Sequence, residues 1–198
     1  MKQVIVIHGG RTFNTHKEYI NSLKNREVGI ERFKYQKDWK ESLQKELGSK
    51  FEVFLPKMPN SFNARYQEWK IWFERMSKFL RNDAIFAGHS LGGIFLAKYF
   101  SENIFPKKVK VVILVSAPYD SSLNEALAEF KLSQNFDKFT EQTKNIYLIH
   151  SKDDPVVPFS HVNKYKKALP NASIVIFTDR QHFNQESFPE IVELIKSI

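Results

Sequence analysis

The sequence contains no cysteine, and this absence excludes disulfide bonds, a thiol nucleophile and metal sites built on thiolates. It also lacks any apolar run close to the ~18 residues that a transmembrane helix requires. A strand-like run begins almost at the first residue and leaves no room for a signal peptide. From these absences and the length we expect a single cytoplasmic domain over residues 1–198.

The chain is basic, with 30 Lys and Arg against 22 Asp and Glu and a formal net charge of +8. Such a charge raises the question of a nucleic acid or an anionic membrane surface as partner. However, the lysines are spread along the whole chain, and neither zinc-finger spacing nor an RNA-recognition aromatic motif accompanies them. We interpret the charge as a solvated surface and keep nucleic-acid binding as an alternative.

Six short apolar runs rich in β-branched and aromatic residues are predicted as strands: 4–7, 51–55, 84–87, 109–115, 146–149 and 174–177. Each run is continuous rather than alternating, which is typical of parallel strands covered on both faces. Segments with helical spacing lie between them, at 37–47, 66–80, 91–101, 159–168 and 188–197. This alternation predicts an α/β fold, a three-layer sandwich in which helices flank a mostly parallel six-stranded sheet.

The predicted helix at 66–80 has the clearest apolar stripe. Its apolar residues recur in steps of three and four, at Tyr66, Trp69, Trp72, Phe73, Met76, Phe79 and Leu80. A stripe of this kind is typical of a helix that faces the core. We predict that Asn63 caps the N-terminus of this helix.

Two segments are longer than ordinary connections, 11–36 after the first predicted strand and 117–144 after the fourth. Both leave the carboxyl ends of strands, where open parallel sheets bind their ligands. Each is either part of a cap over the site or an irregular surface excursion. Residues 11–40 hold eight Lys or Arg against four Asp or Glu, with Phe13, Tyr19, Phe33 and Tyr35 among them. A cap formed by the first segment would therefore suit an anionic or aromatic acyl substrate.

The residues around Ser90 form a GxSxG pattern. Positions 88–92 read Gly-His-Ser-Leu-Gly, which places the serine at the apex of a sharp turn from a strand into a helix. Glycine is needed at the flanking positions because a side chain there would collide across the turn. The strand predicted at 84–87 and the helix predicted at 91–101 supply both flanks. We therefore predict that Ser90 is a nucleophile, with a helix N-terminus facing the developing negative charge.

A serine hydroxyl needs a base to take its proton and an acid to orient that base. On a sheet of this kind, the chain order is serine, acid, histidine, each just past a strand. Asp153 and Asp154 follow the fifth predicted strand. We favour Asp154, because the Asp-Pro-x-Val-Pro turn that it begins would fix its carboxylate. Asp120, beyond the fourth predicted strand, is a further alternative.

The chain has six histidines, and their positions distinguish them. His182 is the predicted base, because it follows the last predicted strand in a loop that can reach back over the sheet. His161 is the alternative base. His8 and His89 are interpreted as scaffold, and we expect the His89 side chain to point away from Ser90.

An oxyanion requires two amide donors. The N–H of Leu91, the residue after the nucleophile, is the first predicted donor. The second is predicted in the loop after the first strand, where glycine lets the backbone approach a substrate closely. We favour Gly10, with Arg11 as the alternative if the loop is shifted by one residue.

With these motifs the chain resembles the α/β-hydrolases over essentially its whole length. It is similar, more narrowly, to the small serine hydrolases of the retinoblastoma-binding-protein-nine type. These begin directly with a strand that ends in a His-Gly loop, and they lack the amino-terminal hairpin of larger relatives. The resemblance is carried by residues 4–10, 51–63, 88–93 and 181–183 and by the Asp154 turn. It implies Ser90 as nucleophile, Asp154 as acid and His182 as base, although the 11–36 segment is longer than the corresponding loop of such small members.

The expected activity is that of a serine hydrolase without metal or cofactor. It would cleave the carboxylic ester of a small-molecule substrate, or a thioester or amide, through an acyl-enzyme intermediate. The alternative from another class is a protein-binding module on the same scaffold with an idle active site, since a fold does not determine a function.

Overall fold

A computed structural model, which describes residues 1–121 and 126–198, contains one six-stranded sheet. Its strands are β1 (Lys2–Ile7), β2 (Phe51–Phe54), β3 (Ala84–His89), β4 (Val109–Val115), β5 (Ile146–Ser151) and β6 (Ser173–Phe177). The order across the sheet is β2-β1-β3-β4-β5-β6, and every neighbouring pair is parallel. The predicted six-stranded α/β sheet is confirmed, and the sheet is parallel throughout.

The described ranges contain α1 (His16–Asn25), α2 (Trp39–Leu47), α3 (Tyr66–Ser77), α4 (Leu91–Glu102), α5 (Asp137–Gln142), α6 (Ser160–Ala168) and α7 (Pro189–Ser197). Short 3-10 turns cover Ile30–Phe33, Ser61–Asn63 and Ala128–Phe130. The α1 and α5 helices lie within the two long segments predicted as possible caps. Residues 122–125 of the second segment lie outside the described residues. None of these helices in the described ranges is long and apolar enough to cross a membrane.

Helices pack on both faces of the sheet. Alternate side chains of β1 point to opposite faces, with Ile5 and Ile7 in a core shared with α3, α4, α5 and α6. Val4 and Val6 belong to the opposite core, which α2 and α7 cover. Because both faces are buried, the strands read as continuous apolar runs. The predicted three-layer sandwich is confirmed.

The direction of the chain across the sheet reverses at β1, since β2 lies on one side of it and β3 on the other. Open parallel sheets bind ligands at such a point, outside the carboxyl ends of the strands. The loop after β1 and the turn after β3 lie against each other here. A Cβ atom added to Gly9 would stand 3.2 Å from the Cβ of Ser90.

The predicted Asn63 cap is wrong. Asn63 belongs to a separate 3-10 turn, in which its N–H donates to the Asn60 carbonyl at 2.7 Å. Arg65 occupies the N-cap position of α3, without a side-chain hydrogen bond. The stripe also covers less of the core than predicted, because Trp72 and Phe79 are 46% and 75% exposed.

Candidate active site

Ser90 lies at the turn from β3 into α4 in a strained backbone conformation. Its φ of 53° and ψ of −121° fall in a region that residues other than glycine rarely adopt. The Ser90 N–H donates to the Val115 carbonyl of β4 at 2.9 Å, and the Ser90 carbonyl accepts from the Gly93 N–H at 2.8 Å. These bonds on either side hold the residue at the apex, where it is 8% exposed.

Close backbone approach explains the two glycines of the pattern. A Cβ atom at Gly88 would lie 2.4 Å from the carbonyl oxygen of Gly92, across the turn. A Cβ atom at Gly92 would lie 2.3 Å from the carbonyl oxygen of Ile7, at the end of β1. Glycine at position 92 therefore allows α4 to begin directly against β1, which brings Ser90 to the point where the sheet reverses.

We expect Gly92→Ala to lower the free energy of unfolding by about 2 kcal/mol or more, because the new methyl group overlaps backbone that cannot rotate away. Urea denaturation measures this loss. Gly29→Ala is the matched control, since its Cβ would meet no atom within 4 Å; its stability should change by less than about 0.5 kcal/mol. Equal stability of the two variants would contradict the packing of α4 against β1.

The loops after β5 and β6 bring Asp154 and His182 together. The Nδ1–H of His182 donates to Oδ2 of Asp154 at 2.9 Å. The Asp154 side chain is fully buried, and its Oδ1 also accepts from the N–H groups of Val156 and Val157 at 2.8 and 2.9 Å. The turn that begins at Asp154 thus supplies donors to its own carboxylate.

Burial alone would raise the pKa of Asp154. The hydrogen bond and charge of His182, together with the amide of Val157, outweigh that effect and lower the pKa below its ordinary value. The carboxylate therefore stays ionised at neutral pH, as is required to hold the proton on Nδ1 of His182.

The two other candidate acids have different partners. Asp153 is exposed, and its Oδ1 accepts from the Ser151 hydroxyl and from the Gln181 N–H at 3.0 Å. It thereby ties the loop after β5 to the residue before His182. Asp120 pairs with Nζ of Lys164 at 2.5 Å on the surface of the described structure.

His161 and His8 each act as a hydrogen-bond acceptor for backbone. Nδ1 of His161 accepts from the Tyr119 N–H at 2.9 Å, and Nε2 of His8 accepts from the Met58 N–H at 2.9 Å. Burial lowers the pKa of both rings, which favours the neutral form that these bonds require. Each ring thus contacts the backbone of a neighbouring loop, and Nε2 of His161 also lies 3.5 Å from Oδ1 of Asp120.

His89, interpreted from the sequence as scaffold, has a specific partner. Its Nε2 lies 2.7 Å from the carbonyl oxygen of His182. A carbonyl only accepts, so Nε2 carries the proton. Burial, together with the nearby Lys40 charge, holds the pKa of His89 well below its ordinary value. The residue before Ser90 therefore supports the loop that carries His182.

Trp39, at the start of α2, is a supporting residue that the sequence did not reveal. Its indole N–H donates to the Phe183 carbonyl at 3.0 Å, and its backbone N–H donates to the Gln185 carbonyl at 2.9 Å. Gln181 and Phe183 adopt left-handed φ angles of 47° and 52°. Such conformations persist only where surrounding contacts hold them, and Trp39 provides two of these contacts.

The residues that carry the candidate oxyanion donors, Gly10 and Leu91, are neighbours in the fold. Leu91 begins α4, and the first N–H groups of a helix have no intrahelical acceptor. A Cβ atom on Gly10 would lie 3.2 Å from Cδ2 of Leu91. The Arg11 N–H donates to the Ser61 carbonyl at 2.8 Å, whereas the described residues offer no acceptor to the Gly10 N–H. Between these two neighbours, Gly10 therefore has the available donor.

Two cavities meet at Ser90. The first, of about 270 Å³, is lined on one side of the serine by Gly10, Phe13, Ser22, Leu91, Pro118 and Leu127, and is termed the Leu91-side cavity. The second, of about 490 Å³, is lined by His8, Arg32, Lys40, His89, Val156 and His182, and is termed the His182-side cavity. Ser90 lines both.

The Ser90 hydroxyl makes no hydrogen bond to the part of the chain that the structure describes, so Ser90 and His182 share a cavity without a direct bond. Such contacts often shorten only when a substrate binds. In residues 1–121 and 126–198, no group of three or more His, Asp or Glu side chains is placed to bind a metal ion.

Comparison with known proteins places the chain among hydrolases. The serine hydrolase family model matches residues 33–196. Serine hydrolase RBBP9 from Rattus norvegicus is 30% identical over 154 residues, covering 75% of this chain and 78% of that protein. The ydeN gene product from B. subtilis has a crystal structure that aligns with a TM-score of 0.77 at 23% identity, covering 100% of this chain and 98% of that one.

The esterase domain of a Rhodothermus marinus protein aligns with a TM-score of 0.64 at 15% identity, covering 99% of this chain and 85% of that one. Such low identities establish the fold alone. The resemblance found in the sequence is confirmed by the family match and the rat relative. The chain has the α/β-hydrolase fold and belongs to the serine hydrolase family.

Proposed function

We propose that this serine hydrolase cleaves carboxylic esters, with Ser90 as nucleophile, His182 as base and Asp154 as acid. The observation that carries the proposal is the buried hydrogen bond between His182 and Asp154, because His182 lines the cavity that Ser90 also lines. An ionised acid, a histidine protonated on Nδ1 and a strained serine are the three parts that acyl transfer requires.

In the first step, Nε2 of His182 takes the proton of the Ser90 hydroxyl as Oγ bonds to the ester carbonyl carbon. The Nδ1–H bond to Asp154 keeps Nε2 unprotonated beforehand and stabilises the imidazolium that forms. The amides of Leu91 and Gly10 would donate to the carbonyl oxygen as it becomes negatively charged. Donors that the fold already holds in place stabilise the transition state most, because they need not reorient when the charge develops.

In the second step, the bond between the carbonyl carbon and the alcohol oxygen breaks, and His182 returns its proton to that oxygen. Water then enters, loses a proton to Nε2 and attacks the acyl group on Ser90. The carboxylic acid leaves and the serine regains its proton. The cycle consumes one water molecule and needs no further reactant.

We also propose that the segment 11–36 and the described parts of the segment 117–144 cap the site. Phe13 and Ser22 from the first and Pro118 and Leu127 from the second line the Leu91-side cavity. A cap of this kind would exclude bulk water from the acyl group.

Labelling with a fluorophosphonate probe tests the proposed nucleophile. We expect the wild-type protein to be labelled, and peptide mass spectrometry to locate the adduct on Ser90. As the probe reacts with the wild-type protein, the rate of 4-nitrophenyl acetate hydrolysis should fall in proportion to the labelled fraction. An unlabelled, inactive wild-type protein would instead favour the binding module with an idle site, and an adduct on another serine would overturn the assignment of Ser90.

A further inference from the structure

The two cavities that meet at Ser90 differ in charge. Among the described residues, the His182-side cavity is lined by four cationic side chains and one acidic one: Arg11, Arg26, Arg32 and Lys40 against Asp38. The described lining of the Leu91-side cavity has one cation and one carboxylate, Arg11 and Glu18, beside apolar side chains such as Phe13 and Leu127. Clefts lined by one sign of charge concentrate ligands of the opposite sign.

Lys40 is the cation most firmly built into this wall. Its side chain is 10% exposed, and its Nζ bonds to Oδ2 of Asp38 at 2.6 Å. An ammonium group has three N–H donors, and the bond to Asp38 uses one of them. Lys40 follows Trp39, whose bonds to Phe183 and Gln185 fix this end of α2 against the His182 loop. The lysine therefore keeps a set position relative to His182.

The reaction assigns a different part of the substrate to each cavity. His182 returns a proton to the leaving oxygen, so the alcohol must lie on the side of Ser90 that His182 lines. That side is the His182-side cavity, because His182 is absent from the described lining of the other. The acyl group then extends past the Leu91 amide into the smaller and less charged cavity.

We propose that the enzyme prefers esters whose leaving alcohol carries a negative charge and whose acyl group is small and uncharged. The negative charge thus lies on the alcohol, and not on the acyl group as the sequence led us to expect. The inference rests on the proposed function, because it needs His182 to act on the leaving group. The charged part of the alcohol, a carboxylate or a phosphate, lies near Lys40 and Arg32. Its attraction to these cations raises kcat/KM relative to a neutral alcohol of the same shape.

The test compares two butyrate esters of nearly the same shape. In one the alcohol is 4-hydroxybenzoate, and in the other it is 4-hydroxybenzamide, which is neutral. We expect kcat/KM for the butyrate ester of 4-hydroxybenzoate to exceed that for the ester of 4-hydroxybenzamide by at least about threefold at low ionic strength. The ratio of the two values should fall as salt is added, since salt screens exposed charges. Equal values would overturn the proposal.

Variants that lack one positive charge identify the cations that cause the preference for the charged alcohol. Lys40→Gln and Arg32→Gln should each bring the ratio closer to one. Lys45→Gln removes the same charge from the exposed last turn of α2 and should leave the ratio at its wild-type value. Arg32 is exposed, so its variant stays informative if Lys40→Gln unfolds. A ratio that responds equally to all three variants would contradict a specific contact.

A second pair of esters tests the orientation. 4-Nitrophenyl hexanoate and the mono-4-nitrophenyl ester of adipic acid differ by a carboxylate at the far end of the acyl chain. We expect that carboxylate not to raise kcat/KM. An increase as large as that for the butyrate ester of 4-hydroxybenzoate would overturn the assignment of the two cavities. If none of these esters is hydrolysed, the proposed function itself fails, which separates the two conclusions.

Discussion

Alanine in place of Ser90 is expected to lower kcat for 4-nitrophenyl acetate at least about 10⁴-fold and to abolish fluorophosphonate labelling. The hydroxyl oxygen is the only atom that this substitution removes. Residual turnover would come from the oxyanion donors and from substrate binding alone. Initial rates at saturating substrate, together with gel-based labelling of the same samples, measure the loss.

The Ser90 variant should fold normally, because its supporting contacts come from the backbone. The N–H bond to Val115 and the carbonyl bond from Gly93 do not involve the side chain. A Tm within a few degrees of wild type would therefore separate lost chemistry from lost structure. Ser197→Ala, at the exposed end of α7, is the matched control and should retain full activity. Undiminished labelling of Ser90→Ala would contradict the mechanism.

Asp154→Asn is expected to lower kcat by about 10³- to 10⁴-fold while leaving the fold intact. The amide oxygen of asparagine can still accept from the N–H groups of Val156 and Val157. What is lost is the negative charge beside Nδ1 of His182. Without it, the ring can place its proton on Nε2, where it can no longer take one from Ser90.

Asp153, the residue before Asp154, provides the control for the Asp154→Asn experiment. Asp153→Asn is the same chemical change one position away, and Asp153 bonds to Ser151 and Gln181 rather than to His182. We expect its kcat to stay within about threefold of wild type, because asparagine can also accept from the Gln181 N–H. A greater loss in Asp153→Asn than in Asp154→Asn would exchange the roles of the two aspartates. Steady-state kinetics on purified variants, with circular dichroism to check folding, decide between them.

The four inner strands could be predicted from the sequence because a strand buried on both faces must be apolar at nearly every position. The edge strands β2 and β6 are only partly buried, and their β-branched and aromatic residues made them recognisable. The α1 helix could not be found in the same way, since none of its residues is buried and its only apolar side chains are Tyr19, Ile20 and Leu23. A different signal was available. Thr15 accepts from the Glu18 N–H, and Glu18 accepts from the Asn14 N–H, so the Thr-x-x-Glu spacing marks the start of the helix.

The residues proposed for chemistry could be selected from the sequence because each follows a predicted strand within a short, recognisable segment. The residues that hold them in place could not be selected in this way. Trp39 and the carbonyl that it contacts are 144 residues apart, and His89 and the His182 carbonyl are 93 apart. Contacts of this range depend on how α2 and the last loop pack on the sheet, which no local pattern encodes. In the sequence, Lys40 is one basic residue among several, and only the fold places it in a cavity wall.

The hydrogen bonds from His89 and Trp39 that hold the loop carrying His182 are made to backbone carbonyl groups of the loop, not to its side chains. The carbonyl groups of residues 182, 183 and 185 accept hydrogen bonds from two side chains and one amide outside the loop. Any amino acid supplies a carbonyl, so the exposed positions of this loop outside the cavity lining, such as Glu186, are free to vary without moving the imidazole. The constraint is carried instead by His89 and Trp39, which lie far away along the chain. A library randomised at position 186 should therefore retain many active members, and one randomised at position 39 should retain few.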